Sequence, residues 1–106
     1  MATIANSVML IGIIGPIVID QDEGIIAFTL TTNESIKQND GSFEIETNEF
    51  DCIAQEPLAT KMVKANLAGL KVACEGRLFS DTDISEKGVI RKWVFVEVQD
   101  FFKIDR

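Results

Sequence analysis

Residues 57–79 read PLATKMVKANLAGLKVACEGRLF, and the order of the local patterns in this stretch decides the fold. Pro57–Ala68 has the apolar spacing of a short helix with proline in its first turn, where a backbone N–H is not needed. Gly69 then ends the helix. Leu70–Phe79 follows as a strand in which apolar and polar residues alternate. The stretch therefore predicts a short helix that leads directly into a strand.

Further strand patterns lie on both sides of this stretch. Those before it are Asn6–Ile14, Ile25–Thr32 and Phe43–Gln55, and the one after it is Ile90–Ile104. The polar segments Asn33–Ser42 and Ser80–Gly88 are predicted to be long hairpin loops. The order β-β-β-α-β-β is that of the OB-fold, whose open sheet face and loops often bind single-stranded nucleic acid. We therefore predict an all-β protein, a five-stranded OB-fold Greek-key barrel with one short helix between strands 3 and 4.

Length and composition favour one globular domain over residues 1–106. Hydrophobic residues make up 46% of the chain and charged residues 25%, which is typical of globular domains. Asp20 and Asp22 end the longest apolar run before it reaches the roughly 18 residues of a membrane span. No lysine or arginine precedes that apolar run, so it makes a poor signal peptide. We expect a cytoplasmic protein that does not contact a membrane.

Cysteine and histidine usage argues against metal sites. Cys52 and Cys74 lie inside strand patterns without C-x-x-C spacing, which favours small buried residues in a reducing compartment over a disulfide. The chain has no histidine, so a structural zinc site lacks ligands. Asp81–Ser85 opens like a calcium loop, but Glu86 replaces the glycine of the sharp turn and Lys92 the final glutamate. We predict no metal and no cofactor.

The first predicted strand is apolar on both faces. Val8, Leu10 and Ile14 alternate with Met9, Ile11 and Ile13. An antiparallel barrel strand normally buries only one face, so the other needs a cover. That cover is either the tail of the chain, at Phe101 and Phe102, or a second copy, and we favour the second copy. The predicted oligomer interface consists of Val8, Met9, Leu10, Ile11 and Ile13.

Catalytic signatures are missing from the sequence. No serine lies in a nucleophile-elbow motif, and no glycine-rich phosphate signature occurs. Carboxylate pairs at Asp20/Asp22 and Asp81/Asp83 lie in polar segments, where solvated turn residues are common. We do not predict an enzyme, nor a small-molecule substrate.

A binding surface is predicted on the last two strands. The residues that alternate outward there are Arg77, Phe79, Arg91, Trp93 and Phe95. Cations interleaved with aromatic rings suit unpaired bases and their phosphates, since stacking contributes about 1–3 kcal/mol per base. The alternative, which the residues leave open, is that the rings pack under a loop or a neighbouring subunit. The net charge of −7 and the pI near 4.4 weaken attraction to a polyanion.

The chain resembles the OB domain of bacterial single-stranded DNA-binding proteins. The matching segments are Asn6–Gly12, Ala27–Ser35, Thr47–Phe50, Leu58–Ala59, Gly69–Val72 and Glu75–Leu78. The resemblance implies a homotetramer, or a dimer, paired partly through the first strand. It also implies sequence-tolerant binding of single-stranded DNA in replication, repair and recombination, without a cofactor and without catalysis.

Several of the family's stacking aromatics are replaced in this chain. Ile36 stands after the second strand, Gln55 or Glu56 before the helix, and Asp83 in the late loop. Phe50 retains an aromatic near the start of the third strand, and Asp51 follows it where histidine is usual.

Two hypotheses follow from these residues. In the first, the protein binds single-stranded DNA weakly and with strong salt dependence: Phe50, Phe79 and Trp93 stack on bases, and Lys37, Arg77, Arg91 and Lys92 hold phosphates. In the second, it is a diverged OB-fold paralogue that has lost most DNA affinity and serves as an oligomeric protein-interaction module. Its acidic stripe Glu44/Glu46/Glu49/Asp51 then meets a basic partner. We favour the first.

Overall fold

Five strands close into a barrel in the computed structural model, which describes residues 5–104. The elements are β1 (Val8–Ile14), β2 (Val18–Asp20), β3 (Ile25–Lys37), β4 (Phe43–Gln55), α1 (Leu58–Lys64), β5 (Lys71–Ile84) and β6 (Ile90–Lys103). The strand order is β1-β5-β6-β4-β3-β2, and β1 also pairs with β3. Only β4 and β6 pair in parallel among these strands. The predicted five-stranded OB-fold with one helix is confirmed; the predicted domain bounds extend beyond the described residues at both ends.

The short strand β2 was not predicted. It follows β1 after a three-residue break, and it pairs with β3 from Val18 opposite Ala27 to Asp20 opposite Ile25. It therefore adds a short edge strand beside β3, outside the closed barrel.

Two glycines allow the barrel to close. β1 passes from pairing with β5 to pairing with β3 at Ile13, and a Cβ at the neighbouring Gly12 would collide with the carbonyl oxygen of Thr31. A Cβ at Gly76 would collide in the same way with the carbonyl oxygen of Glu97. Only glycine fits at these two positions without a backbone shift.

The core lies inside the barrel, and α1 covers one end of it. Met62 and Ala59 of the helix are buried against the strands. Cys52 and Cys74 are both free and both buried, as predicted. Burial raises the pKa of the Cys52 thiol to about 12 and that of Cys74 to about 11, so both are neutral at physiological pH.

About half of each predicted long loop is strand, and this part of the prediction was wrong. β3 and β4 continue as a two-stranded ribbon around a turn at 38–42, and β5 and β6 do so around a turn at 85–89. A ribbon beyond the barrel has water on both faces, so it carries polar residues that resemble a loop in sequence. Leu78 and Val94 have the inward parity of their strands, but both are exposed because they lie where the second ribbon leaves the barrel.

Within residues 5–104, nothing covers the outward face of β1. Met9, Ile11 and Ile13 are 55%, 50% and 42% exposed. Phe101 packs against the core, whereas Phe102 lies in one cross-strand row with Ala73 and Ile11 and is itself exposed. The tail therefore widens the apolar patch instead of covering it.

Val8 and Leu10, the other two predicted interface residues, point toward the barrel interior. Both are half-buried and pack against the core. Within residues 5–104, no helix is long and apolar enough to cross a membrane.

Candidate nucleic-acid interface

The outward face of β5 and β6 brings together the five residues that the sequence predicts to share it. In the antiparallel register Phe79 lies opposite Phe95, Asp81 opposite Trp93 and Asp83 opposite Arg91. Arg77 lies opposite Glu97 one row further along. Directly opposite residues of two strands share a face, so these side chains form one continuous surface, called the β5–β6 face below.

The aromatic rings of this face are arranged as a platform. The Phe79 and Phe95 ring centroids are 5.2 Å apart with 23° between the ring planes, which is a stacked pair. Cζ of Arg77 lies 6.0 Å from the centroid of Phe79, at the edge of cation–π range. Trp93 is 42% exposed beside this pair. Phe79 and Phe95 are half-buried, so Trp93 is the most accessible ring for stacking against an unpaired base.

The cations of the β5–β6 face are matched by carboxylates. Nε of Arg77 donates a hydrogen bond to Oε1 of Glu97 at 2.6 Å, and the two form an ion pair. Arg91 faces Asp83 across the strands. The ion pair at Arg77 and the negative charge of Asp83 opposite Arg91 both reduce the attraction that this face exerts on a phosphate.

A groove borders the platform on the β4 side. The parallel pairing of Cys52 with Val96 sets Asp51 beside Phe95, and Thr29 of β3 lies directly opposite Asp51. These residues line a groove of about 240 Å³ together with Pro16 and the short strand β2. Sequence reasoning missed this groove because the β4–β6 pairing joins segments that are distant along the chain.

The other three predicted nucleic-acid-binding residues lie apart from this face. Lys37 is at the tip of the β3–β4 ribbon, opposite the exposed Phe43. Phe50 lies opposite the buried Leu30 and packs against the core from the inward side. Lys92 lies opposite Thr82, on the reverse face of the β5–β6 ribbon.

Phe43 was not among the predicted binding residues, although it is exposed at the tip of the β3–β4 ribbon beside Lys37. Its signal is an aromatic residue directly after a turn that contains Gly41. Because the residues before Phe43 were predicted to form a loop, its cross-strand pairing with Lys37 was not predicted.

The predicted acidic stripe does not lie on one face, so that prediction was wrong. Glu44 and Glu46 lie opposite Ile36 and Glu34. Glu49 and Asp51 lie on the other face of β4, opposite Thr31 and Thr29. The period of two along a strand separates residues 44 and 46 from residues 49 and 51. As a result, two of the four carboxylates belong to the same side as the aromatic platform.

Comparison with known proteins finds similarity in structure rather than in sequence. No family model and no curated protein sequence matches the chain. The fold is similar to that of Plasmodium falciparum SSB, solved in complex with single-stranded DNA, with a TM-score of 0.79, 18% identity and 99% of each chain covered. It is also similar to a small single-stranded DNA-binding protein from Streptomyces coelicolor (TM-score 0.69, 19% identity, 95% of this chain and 96% of the other).

A third similar structure is a small single-stranded DNA-binding protein from Mycoplasma pneumoniae (TM-score 0.68, 17% identity, 97% of each chain). At these identities the likeness establishes the fold. The resemblance predicted from the sequence segments is confirmed at that level.

Proposed function

We propose that this protein binds single-stranded DNA without catalysis, as a homo-oligomer, through the β5–β6 face. The observation that carries the proposal is the platform formed by the half-buried, stacked pair Phe79 and Phe95 together with the exposed Trp93, which Arg77 and Arg91 border. Stacked rings accept any base, so binding tolerates sequence. Further support is that solved proteins with the same fold are described as single-stranded DNA-binding proteins.

Weak and salt-dependent affinity follows from the charges. Arg77 and Arg91 each face a carboxylate, and the whole chain carries a net charge of −7. Each phosphate held by a cation on a single strand steepens the logarithmic salt dependence by about 0.7. Two such contacts predict a loss of about sevenfold in affinity between about 50 and about 200 mM salt. If Lys37 and Lys92 also reach the strand, the loss rises to about 50-fold.

Trp93 is the only tryptophan of the chain, so it reports directly on this face. We expect a single-stranded oligonucleotide to quench Trp93 emission, and the quenching to fade as salt is added. Absence of binding even at low salt would refute the proposal.

A matched pair of variants separates the β5–β6 face from its reverse. Trp93→Ala removes a platform ring, whereas Val94→Ala truncates the next residue, which is 54% exposed on the reverse face. Anisotropy of a labelled oligonucleotide should show about 10-fold weaker binding for Trp93→Ala, since loss of one stacked base weakens binding by about 1–3 kcal/mol. Val94→Ala should bind like the wild type. Equal weakening in both variants would contradict the assignment of the face.

Self-association is proposed through the apolar patch of Met9, Ile11, Ile13 and Phe102. A dimer or tetramer would remove this exposed surface from water, as isologous interfaces do. Sedimentation should detect an oligomer that Ile11→Lys dissociates. Val63→Lys, which charges an exposed aliphatic residue of α1, should leave the assembly intact. A monomeric wild-type protein would refute this part of the proposal.

A second candidate function has its own observation, on the β3–β4 ribbon. Glu34 lies directly opposite Glu46, with Glu44 two residues away on the same face. Like charges directly across two strands destabilise a sheet, and a basic protein partner would relieve the repulsion. An oligomer that binds no DNA at low salt but binds a lysine-rich peptide through this ribbon would favour the protein-interaction module over the DNA-binding role.

The proposed cellular roles are DNA replication, repair and recombination, in the cytoplasm of a bacterium. Support for a reducing compartment comes from the two free thiols, Cys52 and Cys74. Growth in the presence of DNA-damaging agents, with and without the intact gene, tests the repair role.

A further inference from the structure

The groove beside the platform has the size and the lining of a site for one base. Its volume of about 240 Å³ lies below the roughly 300–1,000 Å³ of pockets for drug-sized ligands. Its lining crosses four neighbouring strands, from Phe95 of β6 over residues of β4 to apolar residues of β3 and β2. A planar base that leaves the Phe79–Phe95 platform can therefore enter it edge first.

The one charged group in the lining of this groove is the carboxylate of Asp51. The ion pair of the β5–β6 face joins Arg77 to Glu97, and no cation within residues 5–104 forms an ion pair with Asp51. An ionised carboxylate only accepts hydrogen bonds. It therefore repels phosphate oxygens and base carbonyls, and it attracts N–H groups.

The N–H groups of a single strand are on its base edges. Cytosine and adenine carry exocyclic amino groups, guanine carries an amino group beside a ring N–H, and carboxylates accept from such donors. Thymine presents two carbonyl oxygens and a single ring N–H between them. A carboxylate at the base edge therefore favours amino-bearing bases and disfavours thymine. The hydroxyl of Thr29, opposite Asp51, can donate or accept and does not oppose this preference.

We propose that Asp51 reads the exocyclic amino group of a base held beside Phe95, so that the protein prefers cytosine-containing strands to thymine-containing ones. This inference rests on the proposed function, and it names the class of strand that the β5–β6 face selects. Tolerance of sequence remains, because the platform itself stacks with every base. Thymine homopolymers are then the weakest ligands.

The test compares labelled cytosine and thymine homopolymers of about 12 nucleotides, within the length that one OB-fold occupies. Mildly alkaline pH keeps cytosine unprotonated and unstructured. We expect the wild type to bind the cytosine strand about fivefold tighter, as one charge-assisted hydrogen bond at an open groove allows.

Asp51→Asn replaces the acceptor with an amide that both donates and accepts, so the ratio of the two affinities should fall to about one. Glu49→Gln is the matched control, because it removes the same charge from the same face of β4 but does not line the groove. It should strengthen binding of both strands equally and preserve the ratio. If the wild type binds too weakly to measure, the ratio is read in Glu49→Gln.

Three results overturn the inference. One is a wild type that binds both strands equally or prefers thymine, and another is an unchanged ratio in Asp51→Asn. The third is an equal loss of preference in Glu49→Gln, which would make Asp51 a source of general repulsion only. Absence of binding to both strands by every variant would instead refute the proposed function, and the inference with it.

Discussion

If the protein binds DNA as proposed, the ion pair between Arg77 and Glu97 competes with a DNA phosphate for the arginine, and replacing Glu97 tests this. Nε of Arg77 donates to Oε1 of Glu97 at 2.6 Å beside the Phe79 ring. A phosphate that binds Arg77 must displace this carboxylate. Glu97→Gln keeps the size of the side chain and removes its charge, so Arg77 becomes available without a change in the surrounding packing.

The expected magnitude follows from the counterions that a phosphate contact releases. One additional contact steepens the slope of log affinity against log salt by about 0.7 on a single strand. Between about 50 and about 200 mM salt, the variant should therefore lose about 2.5-fold more affinity than the wild type. The side chain of Arg77 is 46% exposed and that of Glu97 is 18% exposed, so solvent screens the pair. Its loss should lower the free energy of unfolding by less than about 1 kcal/mol.

The assay is anisotropy of a labelled single strand over a salt series, for the wild type and for two charge-matched variants. Glu34→Gln makes the same change in net charge on the β3–β4 ribbon, away from Arg77, and it should not change the slope. In an Arg77→Gln background, Glu97→Gln should also leave the slope unchanged. Equal slopes for the wild type and Glu97→Gln would refute the competition, as would a steeper slope in Glu34→Gln.

Three further predictions concern stability. Gly12→Ala should destabilise the barrel by about 1–3 kcal/mol in urea unfolding, because its Cβ would collide with a β3 carbonyl, and Gly15→Ala, with more room, should be milder. Glu46→Lys turns a like-charge cross-strand pair into an attractive one and should raise the unfolding free energy by about 0.2–1 kcal/mol, an effect that salt should reduce. Hydrogen bonds from Thr60 lower the pKa of Glu56 below 4.5 in the folded state, so stability is lost as the pH falls through that lowered value. Thr60→Val should therefore make the unfolding free energy depend less on pH in this acid range. An unchanged pH dependence would contradict this linkage.

Local alternation made much of the barrel predictable from the sequence. The strand over residues 43–55 begins and ends where predicted, and the shared face of Phe79, Trp93 and Phe95 follows from a period of two. The inward position of Phe50 was also readable, since it alternates with the buried Cys52 and Ala54. Phe50 was nevertheless assigned to the binding surface, because the assignment followed the family's pattern and not this alternation.

Features that depend on distant pairing could not be read in this way. The ribbons look like loops because neither face is buried, so no apolar period marks them. The position of Asp51 beside Phe95 follows from the parallel β4–β6 pairing, which the barrel imposes on segments more than forty residues apart. The acidic stripe failed for a related reason, because residues 46 and 49 differ in parity and a strand sends them to opposite faces.

The carboxylates on the β5–β6 side are consistent with a role for this face in recognising single strands. A duplex presents phosphates and hides its base faces, and Asp51 and Asp81 repel the phosphates. In the proposed complex, the bases of an unpaired strand stack on Phe79, Phe95 and Trp93, and their amino groups donate hydrogen bonds to a carboxylate. Acidic residues therefore weaken the contact of this face with the phosphates of both duplex and single-stranded DNA. Only the single strand compensates for that loss, through base stacking and hydrogen bonds from its amino groups. An acidic face with aromatic rings therefore binds DNA more weakly, but it increases the difference in binding free energy between unpaired and paired DNA. The reason is that only a small fraction of its binding free energy comes from the phosphate backbone, which both forms share.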